Sequence, residues 1–210
     1  ATAMVATFPP AVVAAYGLGN RLLSLVTLPA MGLSQAMDTA VGQNLGADEP
    51  ERATRAVKLG MTLVVAVLAV VTVVVAAVPE PIVTLFLPEQ TAAAAATIAH
   101  TTTYLRIMSI AFVFFGVFQV AMGTFRGAGN TTTALALSLL ALWVVRLPAT
   151  YLLAFPLEWG PTGVWTAVAL GDVVGAVAAL AWLSRGTWKS SVVDVEPPET
   201  TTSDVVTGHD

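Results

Sequence analysis

The feature that most constrains this chain is an uncharged run of 21 residues from Leu59 to Pro79, LGMTLVVAVLAVVTVVVAAVP. Strands of soluble sheets run about 4–8 residues. A bilayer crossing needs about 20 apolar residues, and this run would reach roughly 31 Å as a helix. In hydrocarbon the backbone must satisfy its own hydrogen bonds, and a helix does so within one segment. Composition extends the argument to the whole chain, which is 56% hydrophobic and 10% charged over 210 residues. Soluble domains carry about 25% charged residues and need them to cover their surface. The expected fold class is all-α, a polytopic transmembrane helical bundle.

Further spans flank this run. Ala1–Phe8 reads as the end of a truncated helix, broken by Pro9-Pro10. Ala11–Asn44 would be roughly 51 Å long as one helix. It must therefore tilt, kink near Pro29–Gly32 or extend past the membrane, or else break at Gly17–Asn20 into two elements. Pro79, Pro81 and Pro88 predict a loop carrying a short apolar piece, IVTLFL, that lies in the interface. Thr91–Phe125 holds the next span and Arg126–Asn130 a tight turn. Thr131–Phe155 is a span interrupted by Arg146 and Pro148, and Thr162–Ser184 is the last, with Asp172 at its middle.

Charge sets the orientation. Arg52, Arg55, Lys58, Arg126, Arg185 and Lys189 fall in one set of connections, and none falls in 79–91 or 155–162. Positive residues mark the cytoplasmic side, so the C-terminus is expected there, in a multi-pass protein of the plasma membrane. Trp159 and Trp188 suit interfacial belts at opposite ends. The net charge of −4 belongs to the tail, because residues 1–188 hold eight basic and eight acidic side chains. Two domains are expected: a transmembrane lobe over 1–188 and a disordered acidic cytoplasmic tail over 189–210.

There is no cysteine, and His100 and His209 lie far apart in no metal-binding pattern. No thiolate site or disulfide is possible, no metal is expected, and no catalytic constellation is evident. The partners expected are the lipid bilayer and small molecules, with no nucleic acid.

Ionisable residues inside spans are costly and default to functional hypotheses. Arg146 lies nine residues before Phe155, and Asp172 ten after Thr162. At ~1.5 Å per residue both sit about 14–15 Å below the same face. The two are expected to pair, or to line one polar cavity. The pair would either fasten two helices, or line a transport path or take part in proton coupling. Asp38 lies about six residues, roughly 9 Å, from its helix end; it reads as a titrating carboxylate or as one hydrated from the cytoplasm. Arg21 and Arg106 can snorkel to an interface. Gln35 and Gln119 are cavity hydrogen-bonders or helix–helix glue. Gly116, Gly123, Gly171 and Gly175 read as packing points.

The segment AAYGLGNRLLSLVTLPAMGLSQAMDTAVGQNLGADEPERA, followed in order by PIVTLFLPE, YLRI and GTFRGAGNT, resembles the C-terminal half of multidrug and toxic compound extrusion (MATE) transporters. VGQNLGA with its acidic turn and ERA is the most specific part, and the resemblance covers residues 1–188. It implies one six-helix lobe of a two-lobe transporter: the end of helix 7 and helices 8 to 12. It implies export of small cationic or amphipathic compounds by alternating access, driven by Na⁺ or H⁺, with no organic cofactor. It implies a missing N-terminal lobe as partner. Gly42, Gln43, Asn44, Gly46, Arg126 and Gly127 then belong to the family's gate and loop motifs. Arg146, Asp172, Asp38, Gln35, Gln119 and Arg106 are candidates by position alone. A lipid-linked oligosaccharide flippase or polysaccharide exporter of the same superfamily is the alternative.

Overall fold

The computed structural model describes residues 5–87 and 92–190. The expectations for residues 1–4, for 88–91 and for the tail from 191 onward lie outside the described residues.

Among the described residues, the α-helices follow in the order α1 Pro10–Gly46, α2 Pro50–Ala77, α3 Pro79–Phe86, α4 Ala92–Gly127, α5 Thr131–Leu139, α6 Leu147–Ala154 and α7 Gly160–Leu183. A π-helical segment, Leu140–Arg146, joins α5 to α6, and a 3₁₀ turn, Thr187–Ser190, follows α7. Among the described residues, five helical stretches are long and apolar enough to cross a membrane: Pro10–Gly46, Pro50–Ala77, Ala94–Gly127, Thr131–Ala154 and Gly160–Leu183. The chain is a multi-pass, all-α membrane protein.

α1 runs unbroken through Gly17–Asn20 and across Pro29 for 37 residues, about 56 Å. The break at Gly17–Asn20 does not occur, because Gly19 is pinned against the ring of Tyr104 on α4 and helical packing offsets the glycine cost. The stretch after Val78 is not a loop. Pro79 opens helix α3, where its fixed φ suits the first turn and its missing N–H is no loss. The helix before the 126–130 turn also runs further than expected, to Gly127.

Two helix ends at one pole of the bundle share a geometry. After α4, Asn130 N–H donates to Phe125 O at 2.8 Å and Gly129 N–H to Arg126 O at 2.9 Å. After α1, Glu49 N–H donates to Asn44 O at 2.8 Å and Asp48 N–H to Leu45 O at 3.0 Å. Both are Schellman closures, with Gly129 at φ 72° and Asp48 at φ 57° in the left-handed position. Asn130 then caps α5 by accepting from Thr133 N–H.

The span expected to be interrupted at Arg146 and Pro148 stays helical. Proline removes one donor and crowds the preceding turn. A widened turn relieves that crowding, and the N–H of Leu147 donates five residues back, to Leu142 O. Thr150 Oγ1 also donates to Arg146 O at 2.6 Å.

α4 is the central post. It carries Tyr104, Leu105, Met108, Phe112, Val120 and Phe125, all buried, against α1, α2 and α7. α2 instead presents Leu59, Leu63, Val67, Val70 and Val74 outward. Such a stripe suits acyl chains, which need no polar cover. At the basic pole Leu45, Val57, Phe125, Leu137 and Trp188 form one cluster. Trp188 is therefore not an interfacial residue: it is 3% exposed, and its indole N–H donates to Leu183 O at 3.2 Å. The glycine turn at Gly186, φ 73°, folds it back under the bundle. Trp159, 51% exposed, does sit at the surface of the opposite end.

Candidate functional site

Two polar groupings stand out among the described residues, one inside the bundle and one half-exposed near the basic pole. The deeper is a cavity of about 210 Å³ between α1, α4, the π-helical segment and α7. Its walls are Leu23, Val26, Met108, Phe112, Phe115 and Val168, and its polar lining is Thr27, Arg146 and Asp172. The π turn and Pro148 set the position of Arg146, whose stem packs on Gly171; a Cβ there would stand 3.0 Å from the Arg146 Cβ. Asp172 follows directly. Gly171 and Gly175, against Ala141 and Phe118, let α7 approach closely enough to close the cavity.

Arg146 and Asp172 share this cavity, and among the described residues no ion pair within 4.0 Å joins them. The Arg146 Nε–H is buried with no acceptor among the described residues. A buried unsatisfied donor costs about 1–3 kcal/mol, so an acceptor entering the cavity would recover that cost. Next to it an aromatic group stiffens α4: Tyr104 packs edge-on to Trp165 (5.6 Å) and to Tyr16 (6.1 Å), and its hydroxyl donates to Asn20 Oδ1 at 2.9 Å.

The second grouping is a clasp between α1 and α4 near the basic pole. Arg126 Nε lies 3.3 Å from Asp38 Oδ2, and its Nη2 donates to Ser34 Oγ at 3.0 Å. Ser34 Oγ donates onward to the backbone carbonyl of Gln119 at 2.5 Å. Close backbone approach makes this possible. A Cβ on Gly123 would run into the Ser34 carbonyl, and one on Gly127 into that of Asp38. Gly42 faces Gly127 O, 3.2 Å from where its Cβ would stand.

Asp38 keeps 41% of its side-chain exposure, so water reaches it, and it also has a cationic partner. Sequence reasoning missed that partner because Asp38 lies two turns before the end of α1 and Arg126 at the last turn of α4. Depths counted from helix ends do not match, since α1 continues past α4. Ser34 was missed too. A small hydroxyl one turn before an intramembrane acid, opposite a Gly-x-x-x-Gly pair, was the available signal.

The other candidates lie apart from the cavity. Gln35 is exposed on α1, and Gln119 contributes its backbone carbonyl to the clasp rather than a cavity contact. Arg21 is exposed on α1. Arg106, also exposed, lines a separate cleft of about 460 Å³ with Glu80 and Thr102. Asn44 Nδ2 donates back to Ala40 O at 2.6 Å, while Gln43 and Gly46 are exposed where α1 ends. Among the described residues there is no group of three or more His, Cys, Asp or Glu placed to hold a metal.

A bundle of long apolar helices with a cavity lined by Arg146 and Asp172 defines a class: a multi-pass membrane protein that keeps charges in its interior. A family model described as MatE matches residues 1–152, and the chain belongs to that family. A "Probable multidrug resistance protein NorM" of Synechococcus sp. is 31% identical over 161 residues, covering 77% of this chain and 35% of the relative. Another NorM, of Rhodopseudomonas palustris, is 32% identical over 170 residues, covering 80% and 35%. The chain thus spans about a third of the length of these curated relatives. The fold is also that of a multidrug resistance MATE family transporter in its outward-facing conformation, with TM-score 0.81 at 19% identity over 89% of this chain and 41% of that one. The Vibrio cholerae MATE transporter VcmN in its bent form gives TM-score 0.78 at 22% identity, over 90% and 41%.

Proposed function

We propose that this chain is the C-terminal lobe of a secondary active exporter, which pairs with an N-terminal lobe and moves small cationic or amphipathic compounds out across the plasma membrane. The observation that carries this reading is the cavity lined by both Arg146 and Asp172, two residues within helices long and apolar enough to cross the membrane. Intramembrane charges that face a cavity are expensive to keep and mark solute or ion paths. The names of the NorM relatives as multidrug resistance proteins support the substrate class. Alternating access supplies the transport cycle, and inward flow of Na⁺ or H⁺ drives it; a MATE transporter of the same fold is described in complex with Rb⁺. The six arginines and lysines at one pole support the reading that this pole, and the C-terminus with it, faces the cytoplasm.

The test is ethidium transport by the complete two-lobe transporter in proteoliposomes, under an imposed Na⁺ gradient, an imposed H⁺ gradient, or neither. Export that follows one of the gradients is expected. Flux without either gradient, or movement of lipid-linked sugar in place of any cation, would overturn the antiporter reading.

A further inference from the structure

At the basic pole, the cations divide into two groups. Arg52 pairs with Glu49 at 2.6 Å, Arg55 with Glu51 at 3.5 Å and Arg126 with Asp38 at 3.3 Å. Among the described residues, Lys58, Arg185 and Lys189 have no acid within 4.0 Å. Lys58, on the third turn of α2, and Lys189, on the 3₁₀ turn after α7, line one cleft of about 310 Å³. Thr54 and Ser184 add hydroxyl oxygens to it, and Val57, Leu180 and Leu183 form an apolar wall.

The cleft is built rather than incidental. Its floor is Trp188, locked by the indole bond to Leu183 O, and the left-handed turn at Gly186 brings the 3₁₀ segment back beneath α2. Arg185 does not enter it, because its guanidinium stacks 4.6 Å over the Trp182 ring. Above the cleft the outward faces of α2 and α7, with Leu59 71% and Leu180 43% exposed, run straight into the lipid-facing surface. Lys189 Nζ lies 5.8 Å from the centroid of the Trp188 ring. Two ammonium groups without an acid within 4.0 Å among the described residues, set at the end of two membrane spans with an apolar wall rising from them, match one chemistry: an acidic headgroup with its acyl chains attached. Basic pockets between spans recognise anionic lipids in this way.

We propose that the Lys58–Lys189 cleft binds the phosphate headgroup of an anionic phospholipid, with the acyl chains lying along Val57, Leu180 and Leu183. The ammonium groups hold the phosphate, and the apolar wall sets the preference for lipid over a free anion. This reading needs only the membrane setting of α2 and α7 and is independent of what the transporter carries.

The test uses the complete transporter, delipidated in a neutral detergent and titrated with phosphatidylglycerol, phosphatidylcholine or inorganic phosphate, read by native mass spectrometry and by Tm. Phosphatidylglycerol should bind saturably and raise Tm, while the other two at equal concentration should not. Lys58→Gln with Lys189→Gln should weaken phosphatidylglycerol binding about tenfold or more. Lys58→Arg should preserve it, which guards against a loss caused only by misfolding, and Arg55→Gln, on an already paired cation, should leave it unchanged. Equal binding of phosphatidylcholine, equal binding of free phosphate, or undiminished phosphatidylglycerol binding by the double variant would overturn the proposal.

Discussion

Arg126 on α4 reaches across to Asp38 on α1, 88 positions away in the chain, with Nε 3.3 Å from Oδ2. The two side chains keep 42% and 41% of their exposure, so water and headgroups compete for both. Pairs of this kind contribute about 0.2–1 kcal/mol. A double-mutant cycle with Asp38→Asn and Arg126→Gln, read by chemical unfolding in detergent, should give a coupling below about 1 kcal/mol. A coupling of several kcal/mol would mean that the pair is desolvated.

What holds α1 on α4 is the glycine crossing beneath that pair. Gly123→Ala would place a methyl on the Ser34 carbonyl, which is backbone and cannot swing aside. Overpacking of this kind costs about 1–3 kcal/mol. Gly17→Ala meets nothing within 4 Å and should instead be neutral or stabilise by roughly 0.5–1 kcal/mol, the ordinary helical gain of alanine over glycine. Thermal unfolding of the two variants side by side checks the contrast. Equal Tm shifts would contradict the close crossing.

Trp188 and Trp159 make a second contrast. Trp188 is buried in the basic-pole cluster at 3% exposure, whereas Trp159 stays 51% exposed. Trp188→Ala should cost about 3–5 kcal/mol, the range for emptying a core aromatic site, and Trp159→Ala well under half of that. Tm and detergent-unfolding midpoints measure both. Comparable losses would return Trp188 to the interface.

Hydropathy and charge alone carried the spans, the multi-pass topology and the candidate charges, because acyl surroundings leave a strong and simple mark on sequence. Leu59–Pro79 could hardly be anything but a crossing. Helix continuity was harder to read. Pro148 predicts an interruption, yet a π turn absorbs it, and Pro79 opens a helix where three prolines pointed to a loop. These outcomes depend on which neighbour fills the space, and local sequence does not record that. The Ser34–Asp38–Arg126 clasp was hidden for the same reason, since it needs the overhang of α1 beyond α4. Counting depth from a shared face brought Arg146 and Asp172 to one level; the structure adds the cavity between them without a direct ion pair.

That distinction is testable by charge exchange. Were the two a fastening pair, Arg146→Asp with Asp172→Arg would restore what either single change loses. Because no ion pair within 4.0 Å joins them among the described residues, the exchanged variant should recover less than about a tenth of the lost transport. Full recovery would show that the pairing itself is what matters.

The most direct measurement is gradient-driven ethidium efflux by the complete transporter carrying Asp172→Asn, compared with Asp38→Asn at equal membrane abundance and equal Tm. If the Arg146–Asp172 cavity lies on the transport route, Asp172→Asn loses at least about tenfold in rate and Asp38→Asn stays within about twofold of the unmodified protein. Wild-type efflux by Asp172→Asn would contradict it.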